Sequence, residues 1–67
     1  MNISQAEIVR NVLPEVAERV KAGTFDDEEL YEALCVIVRM NSETRSDGEC
    51  EEMADRVHDF IKARITD

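Results

Sequence analysis

The stretch that decides the fold is Asp26–Asn41, DDEELYEALCVIVRMN. Asp26 stands three residues before Glu29, which is the spacing of a helix-starting cap. Apolar residues then recur at the three- and four-residue steps of an α-helix: Leu30, Ala33, Leu34, Ile37, Val38 and Met40. The β-branched run Cys35–Val38 could form a buried strand, but no turn residues bracket it and no second strand is available to pair with it. The stretch is therefore predicted to be a helix.

A second and a third helix are predicted on either side of this stretch. Ser4 is followed by Glu7, and Ser46 by Glu49, at the spacing of a capping box, in which each side chain bonds to the other residue's backbone N–H. Apolar residues at helical spacing follow both caps: Ile8, Val9, Val12, Leu13, Val16 and Val20 in the first helix, and Cys50, Met53, Ala54, Val57, Phe60, Ile61 and Ile65 in the third. The three predicted helices cover about residues 4–22, 26–41 and 46–65.

Pro14 lies inside the first predicted helix and lacks the N–H that would bond to the carbonyl of Arg10. The apolar stripe continues in phase across Pro14, which lies on the opposite side of the helix. A helix kinked at Pro14 is the simplest interpretation, and a split into two short helices is the alternative. Gly23 and Asn41 are predicted to end the first and second helices in the left-handed backbone conformation.

The length of the chain, 67 residues, fits one domain spanning residues 1–67. We expect an all-α, three-helix antiparallel bundle. A domain this short buries only about 60% of the surface of its unfolded chain, so its stability is marginal without a staple or a partner. The cap spacings are common to many helical proteins and identify no family.

The second helix has an unusually wide apolar face. Its polar residues Glu28, Glu32 and Arg39 share a narrow sector of the helical wheel. A helix in a monomeric bundle needs an apolar arc of somewhat more than about 100°. The apolar arc of this helix is wider than a monomeric bundle needs. The residues that widen it are the predicted interaction residues: Tyr31, Cys35, Val36 and Met40.

A second copy of the chain is the expected partner of this wide face, because closed two-fold dimers are the commonest homo-oligomers. Two alternatives remain open. The face could meet another protein, or it could be ordinary exposed apolar surface on a monomer. The leading expectation is therefore a homodimer assembled through the second helix.

The chain is strongly acidic, with 16 acidic and 8 basic side chains and a net charge of −8. This charge argues against direct binding to nucleic acid or to an anionic membrane. No apolar run approaches the roughly 18 residues of a membrane span. Five acids form a predicted acidic patch: Asp26, Asp27, Glu28, Glu29 and Glu32. Acids at a helix start complement the helix dipole, which explains much of this patch.

The acidic patch also suggests an alternative function. The protein could mimic nucleic acid and inhibit a nucleic-acid-binding protein that has a basic surface. Such mimicry needs carboxylates along one continuous surface. An up-down-up bundle places the acidic starts of the second and third helices at opposite ends, although a dimer could bring them together.

Metal, cofactor and catalytic sites are not predicted. His58 and Asp55 are three residues apart on one helix, but without further ligands they are read as a solvated flank. Cys35 and Cys50 lack the spacing of a zinc site. Cys50 and His58 are about 12 Å apart along the helix axis, which is too far for a nucleophile and its base. A redox- or metal-dependent regulator is a distant third possibility.

The first residues contain no recognisable export signal, so we expect a cytoplasmic protein whose two cysteines are reduced. A structural disulfide is the minority interpretation. Together these observations predict a small, acidic, non-enzymatic protein–protein interaction module that acts as a homodimer. Its expected partners are a second copy of itself and, under the alternative function, a protein with a basic surface.

Overall fold

The computed structural model describes residues 2–66 and contains three α-helices and no β-strand in that range. The helices are α1 (Gln5–Ala22), α2 (Asp27–Met40) and α3 (Asp47–Ile65). The prediction of an all-α fold with three helices is confirmed, and the predicted bounds differ from these by at most one residue.

Each helix begins at a side chain that accepts from a free backbone N–H of the first turn. Asp26 accepts from the N–H groups of Glu28 and Glu29, at 2.9 and 3.3 Å. Ser46 and Glu49 form the predicted reciprocal capping box at the start of α3. At the start of α1, the Ser4 hydroxyl accepts from the Glu7 N–H, as predicted. The Glu7 carboxylate, however, accepts from that same hydroxyl and not from the Ser4 N–H as a capping box requires.

The two predicted left-handed helix ends have different outcomes. Gly23 is left-handed (φ 76°), and Thr24 N–H donates to the Arg19 carbonyl at 2.9 Å, as in a Schellman motif. The prediction for Asn41 is wrong, because its φ is −114°. The Asn41 amide Nδ2 instead donates to the Ile37 carbonyl at 2.8 Å, so the side chain satisfies an end carbonyl without a left-handed turn.

Pro14 lies within a single continuous helix, because α1 runs unbroken from Gln5 to Ala22. The alternative of two short helices is therefore wrong. Pro14 is exposed, on the side opposite to the buried residues of α1, as the phase of the apolar stripe predicts. A kink at Pro14 stays a prediction.

Polar contacts at one end of the molecule show that α1 and α2 run in opposite directions. Ile3 N–H donates to the Asn41 carbonyl at 2.9 Å, which joins the start of α1 to the end of α2. Asn2 Oδ1 accepts from Glu43 N–H at 2.8 Å, and Arg45 Nη1 donates to the Ile3 carbonyl at the same distance. The segment before α1 is therefore fastened to the α2–α3 connection.

The core is built from one stripe of each helix. α3 packs against both α1 and α2, which approach each other less closely. The buried residues are Ile8, Val12 and Val16 of α1, Leu30, Leu34 and Val38 of α2, and Cys50, Ala54, Val57 and Ile61 of α3. Each set repeats at three- or four-residue steps, so helical periodicity places these residues in the core.

Within residues 2–66, no helix combines the length and the apolar character needed to cross a membrane.

Truncation of a core residue tests this packing. Leu34→Ala is expected to lower the free energy of unfolding by about 2–5 kcal/mol, because the Leu34 side chain is fully buried and a cavity would remain. Urea unfolding followed by circular dichroism measures the change. Val20→Ala is the control, since Val20 is 41% exposed, and an equal loss in both variants would contradict the packing.

Candidate functional site

The wide apolar face of α2 is divided by the fold into two flanks. Val36 and Met40 point away from the core and are 54% and 80% exposed. Tyr31 and Cys35 are half-buried on the flank that faces α3. We call Val36 and Met40 the α2 ridge; of the four predicted interaction residues, only these two share an exposed surface.

An open groove lies beside the α2 ridge, between α1 and α2. It has a volume of about 450 Å³. Its apolar lining comes from both helices and from the loop between them: Val12 and Val16 of α1, Phe25 of the loop, and Leu30, Ala33, Val36 and Ile37 of α2. The groove forms because α3 contacts both helices while α1 and α2 stay farther apart.

The rim of the open groove is mainly acidic. Its charged residues are Glu15 and Arg19 of α1, the helix-capping Asp26, and Glu29 and Glu32 of α2. Arg19 Nη1 lies 3.7 Å from Glu29 Oε2, but both side chains are more than half exposed, so the pair is screened by solvent and weak. The rim therefore carries four carboxylates against one guanidinium.

The predicted acidic patch is not a uniform exposed surface. Asp26 is committed to the start of α2, where it accepts two backbone N–H groups. Asp27 turns towards α3 and is paired there. Glu28, Glu29 and Glu32 are exposed. These three acids neither cap α2, as Asp26 does, nor pair with α3, as Asp27 does.

Asp27, His58 and Lys62 form a polar cluster between α2 and α3. Lys62 Nζ donates to Asp27 Oδ2 at 2.7 Å, and His58 Nε2 lies 2.6 Å from Asp27 Oδ1. These contacts hold the pKa of Asp27 below its usual value of 3.8, first through the hydrogen bond from Lys62 and then through that from His58. Since the carboxylate is ionised and can only accept, His58 Nε2 carries the proton that it donates.

The reading of His58 as a solvated residue is wrong. Its side chain is only 20% exposed, and it is enclosed by Asp27 and by the ring of Tyr31, whose centroid is 5.7 Å away in an edge-to-face arrangement. Antiparallel packing places the start of α2 beside the end of α3. That topology predicts the contact, whereas the spacing of residues within α3 reports only neighbours on the same helix.

Tyr31 is held in its protonated form by its surroundings. A hydrogen bond with Cys35, burial, and the nearby charges of Cys35 and Asp55 raise the pKa of Tyr31 to about 12. Tyr31 and Cys35 lie one helical turn apart on the α3-facing flank of α2, away from the α2 ridge.

Cys35 and Cys50 are free thiols, half-buried on α2 and buried on α3. Across residues 2–66, no three His, Cys, Asp or Glu side chains are grouped so that they could hold a metal ion. The open groove beside the α2 ridge combines a mainly apolar lining with an acidic rim. The sequence indicated the ridge, whereas the groove was missed, because helical periodicity does not report the spacing between helices.

Comparison with protein-family models, with curated proteins and with solved structures found no match to this chain.

The Asp27 cluster predicts a pH-dependent contribution to stability. Because the pKa of Asp27 is lowered in the folded state, its contribution is present above its unfolded pKa and is lost as the pH falls through the folded pKa. Asp27→Asn is expected to lower the stability at pH 7, with a difference from wild type that shrinks as the pH falls below about 4. Urea unfolding over this pH range measures the difference. Glu52→Gln, on the exposed face of α3, is the control, and a gap for Asp27→Asn that is constant with pH would contradict the cluster.

Tyr31 gives a second, spectroscopic test. It is the only tyrosine in a chain without tryptophan, so ultraviolet absorbance reports its ionisation directly. We expect the pKa of Tyr31 to be about 12 in the wild type. In Cys35→Ala the pKa should return towards 10.0, because Cys35 is the largest cause of the shift. Circular dichroism at each pH identifies the range in which the helices persist. A wild-type midpoint near 10.0 within that range would rule out the Tyr31–Cys35 contact.

Proposed function

We propose that this protein is a non-enzymatic interaction module that forms a homodimer through the α2 ridge. The observation that carries the proposal is the exposure of Val36 and Met40, at 54% and 80%, beside the open groove between α1 and α2. Burial of apolar surface stabilises an association by roughly 25 cal/mol per Å² before the costs of association. A two-fold dimer would cover the same ridge on both copies at once.

The distribution of charge supports this choice of surface. The acids of α2 lie in its first half, and Arg39 stands between the two ridge residues in sequence. Two copies that meet at Val36 and Met40 therefore approach through the least acidic part of α2. Contact at this part of α2 lowers the repulsion between two chains that each carry a net charge of −8.

The cytoplasm is the proposed location. Its reducing conditions suit two free thiols, one of them half-buried on the α3-facing flank of α2.

Nucleic-acid mimicry is a weaker candidate. Asp26 caps α2 and Asp27 is paired with His58 and Lys62, so two of the five acids of the patch serve the fold. The starts of α2 and α3 lie at opposite ends of the bundle, as the contact of Asp27 with the last turns of α3 requires. Their acids do not form one continuous strip on a single copy.

The dimer proposal predicts a specific response to one substitution. Wild type is expected to have twice the monomer mass of 7.7 kDa in light scattering on a sizing column, at both low and high salt. Met40→Glu is expected to give a monomer, because an exposed charge would become buried between the two copies. Val20→Glu, a matched change at another exposed apolar residue, should remain dimeric. A monomeric wild type would refute the dimer.

A further inference from the structure

The apolar floor and acidic rim of the open groove together specify a complementary ligand surface. The floor is formed by residues such as Val12, Val16 and Ala33 of two different helices. Above the floor, Glu15 belongs to the α1 rim and Glu32 to the α2 rim. A ligand that fills the groove should therefore be apolar on one face and positively charged above all where it meets the α2 rim, since Arg19 offsets Glu15 on the α1 rim.

The length of the open groove along α2 corresponds to that of a short helix. Its α2 wall extends from Asp26 to Ile37, which is about 17 Å at 1.5 Å per residue, or three helical turns. An amphipathic helix of that length presents apolar residues at positions i, i+3, i+4 and i+7 to a groove. Its backbone N–H and C=O groups are satisfied internally, so it needs no exposed strand edge, and residues 2–66 contain no strand.

We infer that the open groove binds a cationic amphipathic helix of another protein, with its apolar face against Val16 and Ala33 and its basic residues near Glu15 and Glu32. A second copy of this chain fits the groove poorly, because it would bring a further net charge of −8 to an acidic rim. Met40 of the α2 ridge is free of this objection, because it lies outside the groove and beyond the acids of α2.

The inference depends on the proposed function only in that both assign the protein to binding rather than catalysis. Val36 belongs to the α2 ridge and also lines the groove, so a dimer would compete with a bound helix. Met40→Glu separates the two, because Met40 is 80% exposed and does not line the groove. Binding is therefore measured on both wild type and Met40→Glu.

The probe is a fluorescein-labelled peptide of about 14 residues, made of leucine and lysine with leucines at the i, i+3, i+4 and i+7 positions. Fluorescence anisotropy should show saturable one-to-one binding that weakens between about 0.05 and 0.5 M salt. A peptide of the same composition in scrambled order should bind much more weakly. Equal binding of both peptides would overturn the inference, since it would show attraction by charge alone.

Substitution of the groove floor tests the location of the contact. Ala33→Lys places a cation in the floor and is expected to weaken binding about tenfold or more. Ala17→Lys is the matched control, because Ala17 is an exposed alanine of α1 outside the groove. Circular dichroism checks that both variants remain helical. Equal affinity in the two variants would place the peptide elsewhere and overturn the inference.

Neutralisation of the rim tests the charge argument. The double variant Glu15→Gln/Glu32→Gln is expected to weaken binding about threefold to tenfold. Glu52→Gln/Asp59→Asn removes the same charge from the exposed face of α3 and should bind like wild type. Absence of saturable binding to both wild type and Met40→Glu at low salt would refute the groove inference. A monomeric wild type that binds the peptide would refute only the dimer.

Discussion

The packing of α3 against both other helices is the contact on which the rest of the structure depends. Its buried residues Ala54, Val57 and Ile61 meet the apolar stripes of α1 and α2, whose own contact is looser. Three helices of this length cannot enclose one another completely, and α3 takes the most enclosed position. The open groove between α1 and α2 is a direct consequence of this arrangement.

The two flanks of α2 illustrate how one amphipathic pattern can serve two purposes. On the flank that faces α3, Tyr31 packs beside His58 and interacts with Cys35, while Asp27 accepts from His58 and Lys62. This flank is occupied by contacts within the chain. The opposite flank, with Val36 and Met40, has no comparable cover. The large exposed apolar side chains of α2 therefore lie on this second flank alone.

Charge and apolar surface are distributed differently along α2, and this difference separates the two binding proposals. The first half of the helix places Glu29 and Glu32 at the rim of the groove, where they favour a cationic ligand. The second half carries Val36 and Met40 with a single base between them, which suits contact with an identical chain.

The sequence by itself determined the helices, their starts and most of the core. Serine and aspartate caps act on N–H groups two or three residues away, and the residues that a helix buries repeat with its own period, so both features are local. The wide apolar face of α2 is also a local feature of the sequence, and it includes the exposed Val36 and Met40. Only the tertiary structure decided that Tyr31 and Cys35 face α3, that Asp27 pairs with His58 and Lys62, and that a groove opens between α1 and α2. These features depend on the distance and rotation between helices, which are determined by side-chain packing across the whole core rather than by the period of any one helix.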